Sequence, residues 1–228
     1  MPSTPITLHA EPSDITIDLA RTAILVVDMQ NDFVTEGGWL NHTGVDVSGA
    51  ADAIAAIDNG LPVLRTSGIP VIWLNWGNRP DRVNLPPGVV HVYDPDGSGG
   101  GIGDTAGRSE NVLTHGSWGA QVTNELHPEP SDLFVDKFRM SGFFDTPLDS
   151  VLRNLRVDTV LFTGVNADQC VYATLADAAC LGYDVIMLSD AVATTSPSYC
   201  MEATTYNVRQ CYGFTATLAA LTTRIEEL

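Results

Sequence analysis

The stretch Thr159-Val160-Leu161-Phe162-Thr163-Gly164-Val165-Asn166-Ala167-Asp168-Gln169-Cys170 reads as a short apolar strand running through a glycine into the start of a helix. Val160-Leu161-Phe162 is apolar without alternation, the pattern of a strand buried on both faces. Asn166 and Asp168 are candidate caps for the helix that follows over 168–181. On either side of this stretch, four further apolar runs of strand length stand at 23–27, 70–74, 133–135 and 185–188. Helix-like stretches lie between most of them, at 48–67, 147–155 and 197–210, and 213–228 reads as an edge strand followed by a terminal helix. Strand alternating with helix predicts an α/β fold, a doubly wound parallel sheet with helices on both faces.

At 228 residues, 44% of them hydrophobic, the chain suits one large domain. The polar, Pro-rich residues 1–20 are set apart as an N-terminal extension and 21–228 as a single domain. Formal charge is −17, from 28 acids against 11 Lys plus Arg, so the mean surface potential repels phosphate polymers and anionic membranes. Neither nucleic acid nor membrane is expected as a partner. No apolar run approaches the roughly 18 residues of a membrane span, and 1–20 has no basic start or apolar core of a secretion signal. A cytoplasmic location is expected.

Two segments resist a simple reading. Asn59-Gly60-Leu61-Pro62 puts a breaker pair inside the first helix, which predicts a kink or a restart with Pro62 near a first turn. Residues 76–108 are rich in Pro, Gly and Asp and have no period, so they are a lid, a binding loop or disordered. The glycine run 97–103 fits no phosphate-binding register. His42, His91, His115 and His127 are scattered and have no metal-ligand spacing.

In an open parallel sheet, sites form beyond the carboxyl ends of strands, where strand order reverses. Asp28 stands where the apolar run 23–27 ends, and is either a loop anchor or a base whose pKa desolvation raises. Cys170 falls in a first helical turn, where unpaired amides and the macrodipole favour a thiolate, although a core filler is the alternative. Cys180, Cys200 and Cys211 fall in the interior or late part of helices and read as packing residues. Lys137, the one lysine of the chain, follows the run 133–135 and so emerges at a third strand end. Drift toward arginine with one leftover lysine is the alternative to a chemical role. Neighbouring strands lie about 4.8 Å apart, so the three side chains can converge for nucleophilic acyl transfer.

Asp28-Met29-Gln30-Asn31-Asp32-Phe33, the lone Lys137, and Thr163-Gly164-Val165-Asn166-Ala167-Asp168-Gln169-Cys170 together resemble the three landmarks of the isochorismatase-like cysteine hydrolases, in order and spacing. The resemblance implies a six-stranded parallel sheet of order 3-2-1-4-5-6 and an Asp28, Lys137, Cys170 triad. It also implies a cis peptide between Val165 and Asn166, with the amides of Asn166 and Cys170 forming an oxyanion hole. Gly116-Ser117-Trp118 and Ser141-Gly142-Phe143-Phe144-Asp145 are similar to the ureidoacrylate amidohydrolase branch, where a Tyr stands at the position of Met140. Asn78-Arg79-Pro80-Asp81 and Gly101-Ile102-Gly103-Asp104 are similar to the biuret hydrolases. Both likenesses imply hydrolysis of a terminal ureide amide with release of ammonia.

On that basis Phe33, Asn75, Trp76, Asn78, Met140 and Phe143 are candidate substrate-binding residues, and Arg79, Arg82 or Arg139 a candidate for a substrate carboxylate. Leu74-Asn75-Trp76-Gly77-Asn78 lacks the histidines of the metal-binding nicotinamidases, so no metal and no cofactor are expected. A homodimer or homotetramer is implied by the likeness alone. Two alternatives stand beside the ureide reading: a hydrolase of N-carbamoylsarcosine or a simple carboxamide, and a ligand-binding or redox-sensing protein that keeps the fold without turnover.

Overall fold

A computed structural model describes residues 3–228. Eight strands form: β1 (Pro5–Leu8), β2 (Ile15–Asp18), β3 (Thr22–Val27), β4 (Val71–Trp76), β5 (Leu133–Lys137), β6 (Thr159–Gly164), β7 (Asp184–Val192) and β8 (Phe214–Ala216). The helices are α1 (Asn31–Val34), α2 (Trp39–His42), α3 (Ala51–Thr66), α4 (Pro87–Val90), α5 (Leu148–Asn154), α6 (Tyr172–Cys180), α7 (Ser198–Asn207) and α8 (Leu218–Glu226). Strands β3 to β8 make one parallel sheet in the order β5-β4-β3-β6-β7-β8. Numbered within that sheet, the order is 3-2-1-4-5-6, with helices around it.

The three central strands β3, β4 and β6 are buried along their whole length, which is why they read as unbroken apolar runs. Strand order reverses at β3, which pairs with β4 on one side and β6 on the other, and this opens a crevice beyond their carboxyl ends. Gly164 makes the closeness of β3 and β6 possible there: its φ is +103°, and a Cβ would stand 2.0 Å from the Val27 carbonyl oxygen.

Helix α3 buries Ala53, Ile54, Ile57, Leu61 and Leu64 at helical spacing and packs on β7 and α8. It is a single helix from Ala51 to Thr66, with Pro62 inside it, so the chain does not restart at Pro62. Tertiary contact overrides the local signal: Gly60 lies against Leu218 of α8, where a Cβ would come 2.6 Å from that side chain.

Residues 5–18, read as part of a polar extension, contain the antiparallel hairpin β1–β2. Ile6, Leu8, Ala10 and Ile17 join the main core, and Glu11 exchanges backbone hydrogen bonds with Thr215 on the edge strand β8, both at 2.9 Å. Among the described residues, no helix is long and apolar enough to cross a membrane.

Candidate active site

Strand β3 ends at Val27, and Asp28 turns the chain off the sheet with a left-handed φ of +50°. Its carboxylate meets Lys137, the last residue of β5, with Nζ 2.7 Å from Oδ2. Two strand spacings separate β3 from β5, so only a long cationic side chain can cross β4 to reach Asp28. The ammonium passes 4.1 Å from the Trp76 ring centroid and also donates to the Arg139 carbonyl at 3.3 Å. Asp28 and Lys137 are fully buried. Despite the short ion-pair distance, neither Asp28 oxygen receives a well-angled hydrogen bond among the described residues. Burial therefore raises the Asp28 pKa, with the Lys137 charge opposing the rise.

Cys170 follows β6 in a π-helical turn, Ala167–Val171, that leads into α6. Its buried thiol feels both the Asp28 and the Lys137 charges, and its sulfur is 3.7 Å from the Met140 sulfur. Burial pushes the thiol pKa up, against the pull of Lys137. This works against the helix start, which the sequence alone reads as favouring a thiolate. The Val165–Asn166 peptide is cis. Among the described residues, the Asn166 amide donates to no protein acceptor, whereas those of Ala167, Gln169 and Val171 do.

The loop after β3 is held by groups that sequence reasoning did not single out. Gln30 Nε2 donates to the carbonyls of Trp76 (2.8 Å) and Ala120 (2.7 Å), and its Oε1 accepts the Trp76 amide (2.7 Å). Buried Asp32 accepts the amides of Trp39 (3.0 Å) and Leu113 (2.9 Å) and pairs with Arg108. Both residues stand in the quoted motif around Asp28, but each has a partner 80 or more residues away, and no spacing announces that.

Trp76 and Met140 are brought to the triad; other expected pocket residues are not. Asn75 pairs in register with Asp136, and Trp76 with Lys137. Successive strand residues face opposite ways, so Asn75 points away from the cluster, into a groove shared with His115, Phe134 and Asp136. Asn78 is an anchor, buried between the Trp76 indole N–H (2.7 Å) and the Val112 carbonyl (3.0 Å). Phe33 packs edge-on against Trp39 and lines a small crevice with Val165 and Asn166. Phe143 finds its ring partner in Tyr183. Arg79, Arg82 and Arg139 are each paired with an acid, Asp81, Asp104 and Asp145 respectively.

The other cysteines also differ from expectation. Cys180 and Cys211 are exposed, because their helix ends lie at the surface, and Cys200 sits in the first turn of α7, half-buried. A surface concavity of about 550 Å³ lies between the end of α3 and residue 228, lined by Leu19, Pro62, Ile225 and Leu228. It is at the amino ends of the strands, opposite the triad.

A thiol, a carboxylate and an ammonium gathered at the switch point of a doubly wound sheet are the equipment of a cysteine hydrolase. The isochorismatase domain family model matches residues 22–220. Ureidoacrylate amidohydrolase RutB of Rhizobium rhizogenes is 37% identical over 217 residues, covering 93% of this chain and 87% of its own. The protein of the same name from Agrobacterium fabrum is 37% identical, covering 93% of each chain. Among solved structures, a cysteine hydrolase from Pseudomonas syringae pv. phaseolicola superposes with a TM-score of 0.79 at 28% identity, covering 92% of this chain and 95% of that one. N-carbamoylsarcosine amidase from Thermoplasma acidophilum gives 0.66 at 26%, covering 87% and 96%. The chain belongs to the isochorismatase family and is a hydrolase.

Proposed function

We propose that the protein hydrolyses the terminal C–N amide bond of a small ureide, of the ureidoacrylate or biuret type, through a thioester on Cys170. The observation that carries this reading is the convergence of Asp28, Lys137 and Cys170 from three strand ends in one water-excluded cluster. Asp28 takes the thiol proton as the sulfur attacks the carbonyl carbon. The raised Asp28 pKa suits that role, since a carboxylate of ordinary acidity is a poor match for a thiol proton. Lys137 keeps the carboxylate ionised before attack. The amide of Asn166, free of protein acceptors, and that of Cys170 receive the developing oxyanion.

The C–N bond then breaks, and ammonia leaves with the proton held by Asp28. Water, deprotonated by Asp28, attacks the thioester and releases the acid, a carbamate that loses carbon dioxide where the acyl group is carbamoyl. The ureidoacrylate amidohydrolases among the relatives support a ureide. The likeness to an N-carbamoylsarcosine amidase supports an N-carbamoyl amino acid as a second substrate type.

The test measures ammonia from ureidoacrylate, biuret, triuret, N-carbamoylsarcosine and simple carboxamides. Wild-type protein is expected to turn over at least one ureide and to show an acyl adduct on Cys170 by mass spectrometry. Cys170→Ser should lower kcat by at least about a thousandfold without loss of fold. Full turnover by that variant, or no ammonia from any ureide, overturns the reading.

A further inference from the structure

The triad is closed to solvent, Cys170 itself being only 4% exposed, so the segment above it must move for any substrate to enter. The segment 77–132, between β4 and β5, reaches through Tyr93 the turn that carries Cys170. Its later part is tied down by the Asp32–Arg108 pair and by Leu113 on Asp32. Its tip, around α4, closes on itself: Asp94 accepts from the Ser98 amide and hydroxyl, both at 2.9 Å, and from the Gly99 amide at 3.1 Å.

One side chain joins this tip to the strand-end turns around Cys170. The Tyr93 hydroxyl lies 3.1 Å from Asn166 Nδ2, 3.1 Å from Gln169 Nε2 and 3.0 Å from Thr195 Oγ1. Among the described residues, these are the only hydrogen bonds or ion pairs between 77–132 and the turns at 164–170 and 193–196. Their directions are fixed by valence. The Thr195 amide can only donate, and it donates to Asn166 Oδ1 at 3.1 Å, so Asn166 Nδ2 faces the tyrosine. Two amide donors fill the tyrosine lone pairs, and its own proton goes to Thr195. The hydroxyl is thus fully used, and it grips the residue whose backbone N–H is assigned to the oxyanion in the ureide reading. The ring packs edge-on against Trp39 at 5.5 Å. Tyr93 holds a φ of +59°, a conformation that costs a non-glycine residue about 1 kcal/mol or more. Contacts that outweigh this cost are needed to keep the tip where it is.

We propose that Tyr93 is the latch of a lid and a positioning residue: its hydroxyl joins closure over the triad to alignment of the Asn166 turn. Opening frees Asn166 and Gln169 together, and closing re-forms the oxyanion site only once water has been excluded. The second half of this claim rests on the ureide reading; the first does not.

Tyr93→Phe keeps the ring on Trp39 and removes only the hydroxyl. In resting enzyme, alkylation of Cys170 by iodoacetamide, followed by peptide mass spectrometry, should accelerate at least tenfold, with Cys180 and Cys211 unchanged as internal controls. Thr195→Val, which removes one partner from outside the lid, should act in the same direction and covers the case of a poorly folded Tyr93→Phe. On a turned-over ureide, kcat of Tyr93→Phe should fall at least tenfold with the pH profile unmoved, because the triad is untouched. Wild-type alkylation rates in both variants overturn the latch. Faster alkylation with unchanged kcat overturns the positioning role alone. Absence of any wild-type ammonia defeats the ureide reading and the positioning role with it, while the alkylation rates still decide for or against the latch.

Discussion

Lys137 is the cation that opposes the desolvation of a buried carboxylate. Desolvation pushes the Asp28 pKa up and the neighbouring ammonium pulls it back. Replacing Lys137 with Met removes the opposing charge, so Asp28 holds its proton to higher pH. Because the base must be ionised, the acidic limb of kcat/KM should move to higher pH, and activity at neutral pH should fall at least about a hundredfold. A pH–rate profile of residual ammonia release checks this, and an unmoved acidic limb would refute the role given to Lys137. The sign for stability is opposite to that of an ordinary paired carboxylate. A folded pKa above the unfolded one stabilises the fold at low pH, and that contribution is lost as pH rises through the folded value. Asp28, Lys137 and Cys170 were all legible in the sequence, as reactive side chains at strand ends. Tyr93 and Gln30 were not, because their roles exist only through partners distant in the chain.

At the level of the element, α3 shows how a local signal is overruled. Pro62 lies in its last third, exposed, and offers no N–H to the carbonyl of Asp58. The helix persists because Ile57, Leu61 and Leu64 are buried on the sheet side and Gly60 admits Leu218. Pro62→Ala restores the missing donor and removes the ring clash, against a smaller loss from a freer unfolded chain. The net expectation is a gain of about 1 to 2 kcal/mol, read as a rise in Tm of about 2 to 8 °C. A fall in Tm would mean that the helix is adapted to the proline. The same logic explains why 59–62 read as a break: the residues that hold the helix together there come from α8, more than 150 positions later.

Across the whole molecule, the hairpin β1–β2 is part of the fold. It buries Ile6, Leu8 and Ile17 and pairs Glu11 with the edge strand β8 through Thr215. Covering an edge in this way removes a site for unwanted strand pairing. Deleting residues 1–18 removes three buried aliphatic side chains, each worth about 1.5 to 3 kcal/mol, and should destabilise the fold by about 4 kcal/mol or more. Denaturant unfolding measures this, and ammonia release well below the transition should persist, since the triad lies at the carboxyl ends of the strands. An unchanged midpoint would show that the hairpin is dispensable. Residues 5–18 looked polar because only alternate positions of the short strand β1 face the core.

The parallel sheet, the family with its strand order, and the three reactive side chains could all be read along the chain, because buried strands and strand-end chemistry leave patterns in adjacent residues. Which way each strand residue faces could not, and it is the folded sheet that gives Trp76 to the site and turns Asn75 away from it. Folding likewise buries the thiol, which pushes its pKa up, and brings a tyrosine from an aperiodic loop to Asn166. Burial and long-range hydrogen bonding are properties of groups brought together in space, and no local run of residues encodes which groups those are.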